Sequence, residues 1–212
     1  MSTTLDPTTT GHAVEPAPPP ASLTGDPSIL GLPIFVAGSV ALGLVEVGYV
    51  PAAAGAAALP IIMAATGLGL FIATIWAAAL GQTLVAAIFG LFTGFWLSYA
   101  ALVLGLNHGW FAIPAAEVAH TVALFLISWA IVMAALTIAT LRLPVAFTAV
   151  VALVVLALVL LIPATLQPDT TLTKIAGWVI LAFAALGLYL FLSAASVAGG
   201  GKPYPVGRPL IR

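Results

Sequence analysis

Polar positions are scarce along this chain, and the apolar stretches between them set its organisation. From Leu30 onward, long apolar runs are interrupted only by glycine, proline and isolated polar residues. Six runs approach the roughly 20 residues a helix needs to cross the hydrocarbon core of a bilayer. They are Leu30–Tyr49, Leu59–Ala79, Leu84–Leu106, Val118–Ala139, Pro144–Thr165 and Ile175–Ala195. In lipid, only helices and closed barrels satisfy their own backbone, and these runs lack the polar–apolar alternation of barrel strands. The pattern predicts an all-α polytopic membrane protein with six transmembrane helices in a bundle. Leu80-Gly-Gln-Thr83 and Leu141-Arg-Leu143 are very short connections, so the second and third spans, and the fourth and fifth, form antiparallel hairpins.

The ends of the chain read differently. Residues 1–25, with the run Glu15-Pro-Ala-Pro-Pro-Pro20 and several threonines, form a disordered tail by composition. A signal peptide needs a basic start and an apolar core, and this segment has neither. Residues 26–196 form the membrane domain and 197–212 a C-terminal cytoplasmic tail. An even number of spans puts both termini on one side, together with Arg142, Lys202, Arg208 and Arg212, against Lys174 alone on the other. The positive-inside rule then makes both termini cytoplasmic.

Composition narrows the function. Of 212 residues, 63% are hydrophobic and 5% charged, against roughly 25% charged in a soluble domain. That excludes a water-soluble enzyme. A net charge of −1 without a basic patch leaves no footprint for nucleic acid. The absence of cysteine excludes disulfides, thiolate metal sites and cysteine nucleophiles. No Walker A motif, nucleophile elbow or metal-binding helix motif is present, and no cofactor is implied.

The few polar groups within spans are the candidates for chemistry. Glu46 is the only acidic residue in a predicted span, and an ionisable group there is costly and a functional candidate by default. It takes up a proton, gates an entrance or repels an anion, or else simply reaches to the interface beside Tyr49. His108 and His120 are twelve residues apart, which is no metal-ligand spacing, so they read as solvated loop residues. Arg142 reads as a topology anchor. Gly31, Gly38, Gly43, Gly48 and Gly67-Leu-Gly69 allow close helix approach, within one protomer or between protomers. Phe89, Phe92 and Trp96 share one helix face, which serves either packing or a narrow aromatic passage.

Several blocks carry a family resemblance. Asp26-Pro-Ser-Ile-Leu-Gly-Leu-Pro-Ile-Phe35 resembles the N-P-A-P-L-G-L-x-x-F signature of the acetate uptake transporters, which include the succinate–acetate permeases of the YaaH type. Val47-Gly-Tyr49, Gly81-Gln-Thr83, Phe95-Trp96-Leu97, Ala176-Gly-Trp178 and Tyr189 continue it in order. The resemblance implies passage of small monocarboxylates such as acetate, with succinate in some members, through a central pathway in each protomer of a homohexamer. Movement is proton-coupled or channel-like.

It also implies site residues. Phe35, Phe92 and Leu153 fall at the family's hydrophobic constriction, with Phe92 in place of a tyrosine, and Gly187 falls at a small residue linked to substrate size. Asp26, Pro27, Leu30, Gly31 and Leu32 form the motif at the pathway mouth. Asp26 replaces the family asparagine and still suits a helix N-cap. Glu46 replaces an asparagine, and Ala77 a glutamate. Thr93, Ser98 and Tyr189 supply hydroxyls, and Glu46 is the candidate proton-responsive group. The expected partners are a small carboxylate, the lipid bilayer and further copies of the chain. Two other readings stay open, a membrane assembly or sensory subunit without transport, and passage of another small solute such as ammonia.

Overall fold

The computed structural model describes residues 24–211, so most of the segment read as an N-terminal tail lies outside the described residues. Among the described residues, six helical segments are long and apolar enough to cross a membrane. They are α1 (Ser28–Glu46), a composite second segment ending in α2 (Leu68–Ala79), α3 (Thr83–His108), α4 (Val118–Ala139), α5 (Val145–Leu166) and α6 (Thr170–Ala198).

The second segment departs most from a simple span. It begins as a 3-10 helix over Ala52–Ala58, passes through a π-helical stretch over Ile61–Gly67 and becomes regular only at Leu68. The wider π turn sits where Thr66, fully buried, donates its hydroxyl to the Ile34 carbonyl of α1 at 3.2 Å. A polar tie between neighbouring helices stands where an α turn would otherwise continue, as π-bulges often do.

The sixth helix starts five residues earlier than the hydrophobic pattern predicts. Asp169 caps it, its carboxylate accepting from the Thr171 and Leu172 amides at 2.8 and 3.1 Å. These are orphan donors of a first turn, and capping lets the polar stretch Thr170–Lys174 be helical. Replacing Asp169 with alanine should lower stability by about 1 kcal/mol, read as an earlier thermal unfolding transition in detergent micelles.

Both predicted hairpins form: α2 packs along α3, and α4 along α5. The most extensive interface joins α1 to α6, which in turn packs on α5. Glycines make these approaches possible. A Cβ on Gly43 would lie 2.8 Å from Leu181 of α6, and one on Gly38 would overlap Thr66. A Cβ on Gly177 would lie 2.8 Å from the Val47 backbone nitrogen. Gly31, Gly38 and Gly43 of the first span thus meet partners within the chain itself. The helices α1, α3, α4, α5 and α6 surround a central axis, and α2 packs behind α1 and α3.

Candidate functional site

A file of three cavities runs along that axis. At the end carrying residues 24–26 and 199–211, a mouth of about 190 Å³ opens between the start of α1, the start of α5 and the end of α6. Leu32, Phe147 and Leu190 line both this mouth and a middle cavity of about 40 Å³. Phe35 and Phe92 line both the middle cavity and an inner chamber of about 40 Å³ that extends to Glu46. The two small cavities each have room for roughly three waters.

Phe35 and Phe92 therefore stand between the middle cavity and the inner chamber. Their rings meet edge to face with centroids 4.8 Å apart, and Phe35 stacks on Phe183 at 5.7 Å. All three rings are buried. The three come from α1, α3 and α6, so the ring cluster is tied by the α1–α6 interface on one side and by α3 on the other. Aromatic pairs of this geometry contribute roughly 0.5–1.5 kcal/mol beyond burial, which holds the ring positions.

The walls are almost wholly apolar. In the inner chamber, Glu46 of α1 and Tyr99 of α3 carry the ionisable groups, beside Trp96, Phe95 and Phe125. Trp96 is fully buried and its Nε1–H has no hydrogen-bond partner among the described residues.

The sequence model of the GPR1/FUN34/yaaH family matches residues 9–202. The chain belongs to the GPR1/FUN34/yaaH family. The structure titled "Structure of the bacterial acetate channel SatP" is similar over 87% of this chain and 99% of that one, with a TM-score of 0.77 and 22% identity. Comparison with curated proteins finds no match. Family membership and the six apolar helices make the chain an integral, multi-pass membrane protein.

In this GPR1/FUN34/yaaH member the axis gathers most of the residues singled out from sequence. Leu32, Phe35 and Glu46 lie along one face of α1, and Phe89, Phe92 and Trp96 along one face of α3. Gly187 lies against the Phe35 ring from outside the cluster. A Cβ there would meet Val36 at 3.1 Å and the Phe35 ring at 3.5 Å. Leu153 lines neither cavity, whereas Val154 does. One residue turns an α-helix by about 100°, which carries Leu153 off the face formed by Val150, Val154, Ala157 and Leu161.

The mouth motif divides its tasks. The Asp26 carboxylate accepts from the Ser28 amide at 2.9 Å, but the N-cap of α1 is Pro27, so Asp26 braces the entry to the helix from one residue ahead instead of capping it as the sequence suggests. Asp26 and Leu32 line the mouth, Pro27 is fully buried and Leu30 packs against the core. Gly31 leaves the space filled by the Phe89 ring.

The hydroxyls are occupied. Thr93 donates to the Phe89 carbonyl at 2.9 Å and Ser98 to the Gly94 carbonyl at 2.6 Å, both one turn back on α3. Tyr189 donates to the Pro205 carbonyl at 2.9 Å, away from the axis. The histidines stay apart from one another. His108 bonds the Leu104 carbonyl at 2.9 Å, and the exposed His120 lies 3.8 Å from Glu117.

Phe183 was missed in the sequence. Its signal was available as spacing, because Ile180, Phe183, Gly187 and Leu190 recur at three and four residues and so share a face of α6.

Proposed function

We propose that the chain conducts acetate and similar small monocarboxylates across the membrane, each protomer through its own pathway and with both termini on the cytoplasmic side. The observation that carries this reading is the file of cavities divided by Phe35 and Phe92. Family membership and the likeness to a bacterial acetate channel support it.

The physical argument concerns charge. Acetate, like the carboxylic side chains, has a pKa of roughly 4–5 and is anionic at neutral pH. An anion gains little from walls of phenylalanine, valine and leucine, and burying it unpaired is costly. A small solute that travels with a proton avoids that cost. Width selects at the rings, since an apolar constriction passes a narrow, partly dehydrated solute and excludes a wide one.

Glu46 is the proton-responsive group in this reading. As a carboxylate at the end of an apolar chamber it repels an entering anion, and when protonated it does not. Uptake of labelled acetate into proteoliposomes should therefore rise as pH falls. In Glu46→Gln, which carries no charge at any pH, the dependence should flatten to that of acetate's own protonation. An unaltered pH profile in Glu46→Gln removes the residue from the role. Uptake of ammonium in place of acetate by the same vesicles overturns the substrate assignment.

A further inference from the structure

Residues 199–211 carry no helix, yet they are tied down along their length. The chain turns at Gly200, whose φ of +83° suits glycine, and runs back across the end of the bundle. Ser196 donates its hydroxyl to the Lys202 carbonyl at 2.8 Å. The Tyr204 amide donates to the Ser193 hydroxyl at 2.9 Å, and Tyr189 to the Pro205 carbonyl at 2.9 Å. The Ala146 amide, an orphan donor in the first turn of α5, donates to the Val206 carbonyl at 3.1 Å. Gly207 presses its backbone on Val145, and Pro209 pairs with Pro144. The Leu210 and Ile211 amides both donate to the Leu141 carbonyl, at 3.0 and 3.1 Å. The segment is a strap joining α6, α5 and the α4–α5 turn.

The strap crosses the pathway's mouth. Val206 lines that cavity together with Asp26, Ser28, Leu32, Phe147 and Ser193. Ser193 both lines the mouth and holds the strap through Tyr204. Capping α5 requires only the Val206 carbonyl, which leaves its side chain free to form a wall.

We propose that Val206, held in place by this strap, is a specificity-determining residue at the mouth, a rim in series with the phenylalanine constriction. The proposal rests on the transport reading above for the identity of the solute, and on the strap's hydrogen bonds for its geometry. Tyr189, Ser193 and Ser196 act as positioning residues that fix the rim.

The chain has no cysteine, so introduced thiols report without background. The test uses the full-length Ser28→Cys/Val206→Cys protein in proteoliposomes, with each single variant and Ser28→Cys/Leu210→Cys as controls. Leu210 is on the same strap but is exposed and away from the mouth. A short, reducible bifunctional thiol reagent is added, and bridging is read by mass spectrometry and labelled-acetate uptake by filtration. The expected result is a bridge between the thiols of Ser28→Cys/Val206→Cys and little or none in Ser28→Cys/Leu210→Cys. Uptake by the bridged protein should fall about tenfold, the scale on which a fitted apolar passage rejects an added group, and return on reduction. Both thiols of Ser28→Cys/Val206→Cys reacting singly without bridging, or a bridge that leaves uptake unchanged, overturns the proposal. Wild-type vesicles that take up no acetate overturn the transport reading instead, and bridge yield against the Leu210→Cys control then decides where the strap lies. A second variant guards against misfolding of the double mutant: Val206→Ala should raise the uptake of butyrate relative to acetate, and an unchanged ratio counts against the rim.

Discussion

Replacing Phe35 with alanine is expected to join the middle and inner cavities and to relax size selection. Phe35 is in ring contact with Phe92 and Phe183 and, with Phe92, lines both cavities, so its removal takes away part of their shared wall. An apolar site discriminates one methylene by roughly 1–3 kcal/mol, or about 10–200-fold. Discrimination against propionate and butyrate relative to acetate should therefore fall by at least about tenfold in Phe35→Ala, the lower end of that range. The same change removes a buried ring, at a cost of about 3–5 kcal/mol. The variant should unfold earlier on heating, and flux should be measured on protein verified as folded. Selectivity unchanged in folded Phe35→Ala would place the constriction elsewhere.

Gly187→Leu is expected to act in the opposite sense. The missing side chain at Gly187 leaves room for Val36 and the Phe35 ring, which lie 3.1 and 3.5 Å from where a Cβ would stand. A leucine must push Phe35 towards Phe92, and the passage has no slack there, since the ring centroids are already 4.8 Å apart. Acetate uptake should drop more than about tenfold by the same steric scale. Overpacking costs about 1–3 kcal/mol, so thermal stability should fall less than in Phe35→Ala. Combining the two substitutions should restore uptake, because the ring that the introduced leucine would displace is gone. Failure of that rescue would mean that Gly187 acts on flux by another route.

The six spans and two hairpins were legible because apolar length and short connections are local properties of the chain. The cavity-lining faces of α1 and α3 were legible as far as spacing goes: Phe89, Phe92 and Trp96 share a face whatever that face touches. Spacing alone could not tell packing from passage, because both need apolar rings on one side of a helix. The offset between Leu153 and Val154 shows the sensitivity of a helix face to register: α5 carries threonines only near its ends, at Thr148 and Thr165, so no polar residue beside Leu153 marks the inward side. Thr93 and Ser98 looked like free donors in sequence, but a hydroxyl in an apolar helix bonds its own backbone one turn back. The strap was not legible at all. Its glycines and prolines give no periodicity, and its order comes from hydrogen bonds to residues far away in sequence, such as Leu141 and Ala146.

Uptake of labelled acetate by proteoliposomes of the wild-type chain, with and without an inward proton gradient and against empty liposomes, tests the central claim most directly. Uptake above the empty control, increased by the gradient and altered in Phe35→Ala, is the predicted result. Uptake indistinguishable from empty liposomes under both conditions, from protein shown to be folded, would contradict it.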